Sequence, residues 1–285
     1  MDGDVRLREG DTWMILRRHD EDVGFVHRTR TQLESGWLTE YEMLLVVEVL
    51  GKKRPVDVSV KARLDAEAYL NSFDAEIRAG GRKIAARGDV HSETISLVVN
   101  PTSDPIQRTI ALKDRPRLAT HSFHQLLGRE DLQPGDRFRN AYFDPTSLGM
   151  QAIVMEYVGR ENVDVFDQNY EAYHLKQTVG GETYDVYVDG QGELLIQEFP
   201  FEIVGARVQP ELGRSRAAEI RRRADTAKAA TPDDPSGLGG AGLEAAFEML
   251  GVSPDEIAGG ADEAPDQALP RPDASMPDTS TRSTD

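Results

Sequence analysis

Apolar and polar residues alternate along much of this chain, and the alternation breaks at glycine, proline and acidic turns. Over residues 39–50 the odd positions Tyr41, Met43, Leu45, Val47 and Val49 are apolar, while Glu40, Glu42 and Glu48 fall on the other face. Residues 56–66 repeat the pattern, with Val56, Val58, Val60, Ala62 and Leu64 set against Asp57, Ser59, Lys61, Arg63 and Asp65. A period of two is the mark of a half-buried strand, and alternation this clean points to an antiparallel sheet with one solvated face. A first hairpin is expected from residues 12–19 and 23–31 around Asp20-Glu21-Asp22. Trp13, Ile15 and Arg17 share a face of one arm, and Phe25, His27 and Thr29 a face of the other.

Further strands are expected at 69–79, 82–87, 93–99 and 106–112, with Gly80-Gly81 as a hairpin turn. Tyr69, Phe73, Ala75 and Ile77 line one face of the first of these. Residues 137–143, 151–157 and 162–166 read as three more. The clearest stretch is the meander over 170–201. Gly180-Gly181 and Gly190-Gln191-Gly192 separate three alternating runs, and Tyr184, Val186 and Val188 share a face of the middle one. Glycine supplies the positive φ that short hairpin turns demand. The count is about twelve strands. A helix is expected over 120–128, between Thr120 as N-cap and Gly128 as stop, and a longer one over 210–230, opened by Pro210.

Composition divides the 285 residues into three parts. Residues 1–209 form an antiparallel β domain, 210–230 a helix, and 231–285 an acidic tail. Residues 225–285 hold 13 acidic against 3 basic side chains, more than half of the net charge of −17. A segment so polar cannot bury enough apolar surface to offset chain entropy, so the tail is expected to be disordered. One piece of it, 243–250, places Leu243, Ala246, Phe247 and Leu250 at helical spacing. This is a candidate short helix for docking a protein partner.

A pI near 4.8 argues against binding to nucleic acid or anionic membranes. The absence of cysteine removes disulfides, thiolate metal sites and a cysteine nucleophile. No apolar run is long enough to span a membrane as a helix. Residues 1–8 have no apolar signal-peptide core. The expected location is therefore the cytoplasm, or the periplasm if an upstream signal peptide was removed.

Candidate chemistry is sparse. His121 and His124 share a face of the expected helix but lack an HExxH context and a third ligand, so surface or packing roles are expected. His19, His27, His91 and His174 are scattered singly. The glycine pairs join strand to strand and so cannot cradle phosphate. Ser122 and Ser147 lack a GxSxG context. Asp185, Asp189, Glu40 and Glu42 are expected on solvated faces, and Arg214–Arg223 on a solvated helix face. No catalytic residue, cofactor or metal site is expected. What remains is the apolar face itself. About twelve strands with one or two helices imply a curved sheet wrapped around a helix or a ligand. Its candidate lining is Tyr41, Met43, Leu45, Val58, Val60, Phe73, Tyr184 and Val186. A sheet closed on its own side chains is the competing arrangement.

The order of features resembles the lipoprotein-carrier half-barrel of bacterial envelope proteins. It is most similar to the β-rich domain preceding transglutaminase-like domains in proteobacteria. The resemblance rests on Trp13 before a hairpin carrying Val23-Gly24-Phe25-Val26-His27, the long strands over 39–66, Phe143-Asp144-Pro145, the run from Tyr184 to Leu195, and Glu198-Phe199-Pro200. It spans about residues 12–207, and no transglutaminase domain follows. It implies an unclosed barrel with a helical lid and an apolar interior that holds acyl chains. The expected fold is thus mainly β: one curved antiparallel sheet with a helix across its concave side, then a C-terminal helix. The expected function is a non-catalytic envelope module binding a hydrophobic ligand, lipid or acyl, or a protein partner. The alternatives are an adaptor acting through its tail and a hydrolase built from Asp, Glu and His.

Overall fold

The computed structural model of the chain describes residues 7–230 apart from 50, 80, 101–104, 113–114, 119–122, 124–126, 128–131, 146–147, 167 and 180. Its strands are β1 (Gly10–Arg18), β2 (Glu21–Leu33), β3 (Gly36–Val49), β4 (Lys52–Leu64), β5 (Leu70–Ala79), β6 (Arg82–Val90), β7 (Thr94–Val99) and β8 (Ile106–Ala111). There follow β9 (Arg137–Asp144), β10 (Gly149–Val165), β11 (Gln168–Val179), β12 (Glu182–Val188), β13 (Leu194–Phe199) and β14 (Ile203–Val208). One long helix, α1 (Pro210–Ala230), closes the described chain at the boundaries its Pro and Ala content predicts.

All fourteen strands belong to one sheet, ordered β8-β7-β6-β5-β4-β3-β2-β1-β14-β13-β12-β11-β10-β9. The chain starts in the middle, runs out to one edge by successive hairpins, and returns from the other edge until β14 pairs with β1. Every pairing is antiparallel. Short hairpins dictate this, because neighbours in sequence become neighbours in space. The turn before β12 shows the local cause: Val179 pairs with Glu182, and Gly181 has φ 91°. The two strands expected over 151–157 and 162–166 are instead one, β10. A bulge between Tyr157 and Gly159 carries the strand through and reverses which side chains share a face. Ile153, Met155 and Tyr157 pack in one cluster, and Val163 and Val165 in another.

The inner face of β1–β8 builds the main core from Met14, Leu16, Val26, Met43, Leu45, the alternating residues of β4, and Phe73, Ile77, Ile95 and Leu97. The inner face of β9–β12 builds a second core around Ile153, Met155, Leu175, Val186 and Val188. Leu194 touches both. The sheet curls until Phe143 of β9 meets Phe73 of β5, with ring centroids 4.9 Å apart. Among the described residues no ladder joins β8 to β9, so the barrel is unclosed. Residues 115–118 bridge the gap instead. Pro116 O accepts from Leu70 N at 2.9 Å, and Arg117 O accepts from Phe143 N at 3.1 Å. The Arg115 and Arg117 guanidinia lie over the Tyr69 ring at 4.7 and 4.2 Å.

Packing is tight where β5 and β6 pair. Gly88 lies opposite Phe73, and a Cβ there would overlap the Phe73 ring. That ring is locked in the core and cannot swing away. Gly88→Ala is therefore expected to cost about 1–3 kcal/mol, read as a lower urea midpoint with unchanged slope. An unchanged midpoint would show that the ring has room.

The long helix lies on the outer face, opposite the main core. Ala217, Ile220 and Ala224 pack on Trp13, Ile15, Phe25, Leu44 and Val208. Gly213 sits against Trp13, where a Cβ would strike the indole. The arginine run is exposed, as the sequence reading expects, and four of its side chains also reach across to the sheet. Arg214 pairs with Asp11 at 2.9 Å and Arg216 with Asp22 at 2.6 Å. Arg221 pairs with Glu42 and lies over the Phe25 ring at 5.0 Å, and Arg223 donates to Asp22 O at 2.8 Å. Burial works to raise the Asp11 carboxyl, but hydrogen bonds from His27 and Arg214 outweigh it and hold it below the usual carboxylate range.

Of the helix expected over 120–128, Phe123 and Leu127 are described. Both are helical and pack against the second core, on the concave side. The remaining residues there, including His121, Ser122 and His124, lie outside the described residues, as do Ser147 and the tail with Leu243, Phe247 and Leu250.

Candidate functional site

Five of the predicted lining residues share the main core. Met43 and Leu45 of β3, Val58 and Val60 of β4, and Phe73 of β5 all face inward, with Tyr41 packed against them. The register explains this: Met43 pairs with Val58 and Tyr41 with Val60, so the inward rows of adjacent strands coincide. Val186 belongs to the second core, beneath the β9–β12 wing. Tyr184 stands near the start of β12, half-exposed, where its hydroxyl donates to Glu182. Burial, and then that carboxylate, push its phenol up to about 12. The Tyr41 hydroxyl points at Met43 Sδ, 3.6 Å away, and burial raises its pKa above the usual phenol range. The eight residues thus do not form one patch. They trace two adjoining parts of the interior.

The inner row of β3 continues from Tyr41 through Met43 and Leu45 to Val47, and there it reaches a cleft of about 1240 Å³. The cleft lies at the mouth of the barrel where the β1–β2 and β3–β4 turns, residues 201–203 and the last turns of α1 come together. Val23, Val47 and Ile203 line it and also pack with the main core. Phe201, large and exposed, stands at its edge with a positive φ of 63°. Lys52, Arg222, Glu48 and Glu219 are charged residues of the rim. Arg54 pairs in register with Val47 and is only 8% exposed, yet has no ion-pair partner among the described residues. Sequence reasoning missed this mouth, because its walls come from turns and a helix end far apart in the chain.

Two of the scattered histidines, His174 and His27, and the acid Asp189 hold strands and turns together. His174 stands between Glu161, 2.8 Å from Nδ1, and Asp185, 2.7 Å from Nε2, and stacks on Tyr187. This ties β10, β11 and β12 together. His27 bonds Asp11 at 2.8 Å and stacks on Trp13. Asp189, expected to be solvated, organises its turn. Its Oδ1 accepts from Gln191 N and Glu193 N, and its Oδ2 pairs with Arg207 at 2.7 Å. Among the described residues, no group of three or more His, Asp or Glu is placed to hold a metal.

No protein-family model matches the chain, nor does any curated protein sequence. Among solved structures, the chain is similar to a β-barrel-like protein of the domain of unknown function DUF1849 from Brucella abortus. The TM-score is 0.54 at 13% identity, over 72% of this chain and 97% of that one. A DUF1089 family protein from Pseudomonas aeruginosa gives a TM-score of 0.38 at 14% identity, over 63% of this chain and 91% of that one. At such identity the first likeness is one of fold alone: a β-barrel-like sheet, without the specific lipoprotein-carrier or transglutaminase-associated kinship the sequence features suggest.

Proposed function

We propose that this chain is a non-catalytic binding module that takes an amphiphilic, acyl-bearing ligand at the open mouth of its barrel. The observation that supports it is the cleft of about 1240 Å³ whose apolar floor, Val23, Val47 and Ile203, is continuous with the interior. Volume of this order exceeds what a typical small-molecule pocket needs. An acyl chain would lie on that floor, whose residues pack on the main core beneath. A polar head would stay at the rim near Lys52 and Arg222, with Arg54 within the same end of the sheet. Burial of each methylene is worth about 0.8 kcal/mol, so even part of a fatty chain supplies micromolar binding.

The test has two arms. Native mass spectrometry of the full chain purified from its own host is expected to show a retained small ligand. A fluorescent fatty-acid probe is expected to bind the delipidated protein, and Val47→Glu to weaken it roughly tenfold or more with unchanged far-UV circular dichroism. Protein that carries no ligand and ignores the probe would remove this reading. Cell fractionation tests the envelope location separately.

A further inference from the structure

We propose that the opposite mouth of the barrel holds a small oxyanion, a carboxylate or a phosphate, between Arg8, Arg28 and Arg30. Val26 of β2 packs in the main core, so Arg28 and Arg30 point inward with it. Both are buried, at 7% and 4% exposure. Charged side chains are almost never this buried without full pairing. Their shared partner is Glu193, held in place by the Asp189 turn. One of its oxygens pairs with Arg28, and the other lies 3.2 Å from Arg30 Nη1.

One carboxylate does not complete this site. Arg30 Nη1 also donates to Arg8 O at 3.2 Å, but among the described residues Arg30 Nε has no acceptor, and it is closed to solvent. Directly across the β2–β3 ladder from Arg30, Thr39 Oγ1 is also buried without a partner among the described residues. A third guanidinium, Arg8, is exposed, and among the described residues its side chain donates to the neutral Gln191 Oε1 at 2.9 Å. These three arginines, Gln191 and Glu193 line a pocket of about 170 Å³ together with Glu9, Gly10, Asp11 and Thr12. Its other carboxylates are engaged elsewhere: Asp11 with His27 and Arg214, and Glu9 with the Gln32 amide. Among the described residues that line this space, three guanidinia therefore face Glu193 as the one carboxylate not engaged elsewhere in the lining, across a volume that holds a few waters or one small anion. Planar guanidinium forks match carboxylate and phosphate oxygens in pairs, and buried donors gain most from such a partner. Glu193 is the built-in competitor for that place.

Phosphate and acetate are titrated separately into the full-length protein at constant ionic strength, with chloride as the control, followed by calorimetry. Saturable binding of either is expected, and which of the two binds more tightly identifies the anion class. Arg8→Gln, at an exposed side chain, is expected to weaken binding roughly tenfold. Glu193→Gln, which removes the competing charge, is expected to strengthen it. If neither anion binds the wild type or Glu193→Gln better than chloride does, the arginines are a structural ion cluster and the proposal fails. Equal binding by the wild type and Arg8→Gln would place the anion elsewhere and equally overturn it. Should Glu193→Gln not fold, the wild type and Arg8→Gln decide. These probes carry no acyl chain, so the result is independent of the cleft at the other mouth.

Discussion

Phe143→Ala is expected to destabilise the protein by about 3–5 kcal/mol, the range for deleting a fully buried aromatic ring from a core. Phe143 is 0% exposed, and its partner Phe73 is 1% exposed. In the sheet order, β5 and β9 are separated by every strand from β4 round to β10. Their contact exists only because the sheet curls, so the ring reports on closure. The bridging segment depends on the same place, since Arg117 O accepts from the Phe143 amide and Leu118 packs into the main core. The cavity left by alanine cannot collapse readily, because Phe73 is itself pressed against Gly88. Urea denaturation followed by both tryptophan fluorescence and far-UV circular dichroism checks this. Phe166→Ala, at an exposed phenylalanine, serves as the control and should stay within about 0.5 kcal/mol. A cost at Phe143 no greater than at Phe166 would mean that the two wings do not pack on one another.

Ending the chain at Gln209 is expected to abolish soluble, folded protein. The helix that would be lost covers Trp13, Ile15, Phe25, Leu44 and Val208 on the outer face of β1–β3 and β14. Uncovered, these make a contiguous apolar patch in the middle of the sheet, the kind of surface that drives association. The ion pairs of the helix matter less. Arg214, Arg216, Arg221 and Arg223 are all partly exposed, and exposed pairs contribute about 0–1 kcal/mol each. They set the position of the helix along the sheet, while the apolar seam supplies the energy. Ile220→Ala is the graded version, expected to cost about 2–4 kcal/mol, whereas Arg216→Gln should cost less than about 1 kcal/mol. Soluble expression, gel filtration and urea midpoints read all three. A truncated chain that remains monomeric and folded would show that α1 is an appendage.

Much of this architecture is written locally. Alternation over 39–50 and 56–66 predicts β3 and β4, because an inward row is apolar wherever one face is buried. The glycine turns of the 170–201 meander place β11, β12 and β13 in order. Proline at the start and alanine-rich composition bound α1 at 210–230. Parity even contained the second mouth: Arg28 and Arg30 follow Val26 on the inward side of β2, where a charged residue breaks the pattern. Breaks of that kind mark sites more often than conformity does. The bulge in β10 was not legible, since Val158-Gly159 reads as a strand end when no partner strand is known.

Sequence alone therefore determined the class of the fold, the order and hairpin pairing of most strands, and which side chains face inward, because all three follow from period-two alternation and turn chemistry between neighbours in the chain. Only the tertiary structure decided the rest. It paired β14 with β1, curled β9 against β5, seated α1 on the outer face through its apolar seam, and brought turns from β1–β2, β3–β4 and β13–β14 to one mouth. These depend on contacts between residues far apart in the chain, such as Phe73 with Phe143, Arg216 with Asp22 and Arg28 with Glu193. The energy of such contacts comes from burial and charge pairing that exist only once distant parts of the chain have come together in the folded sheet.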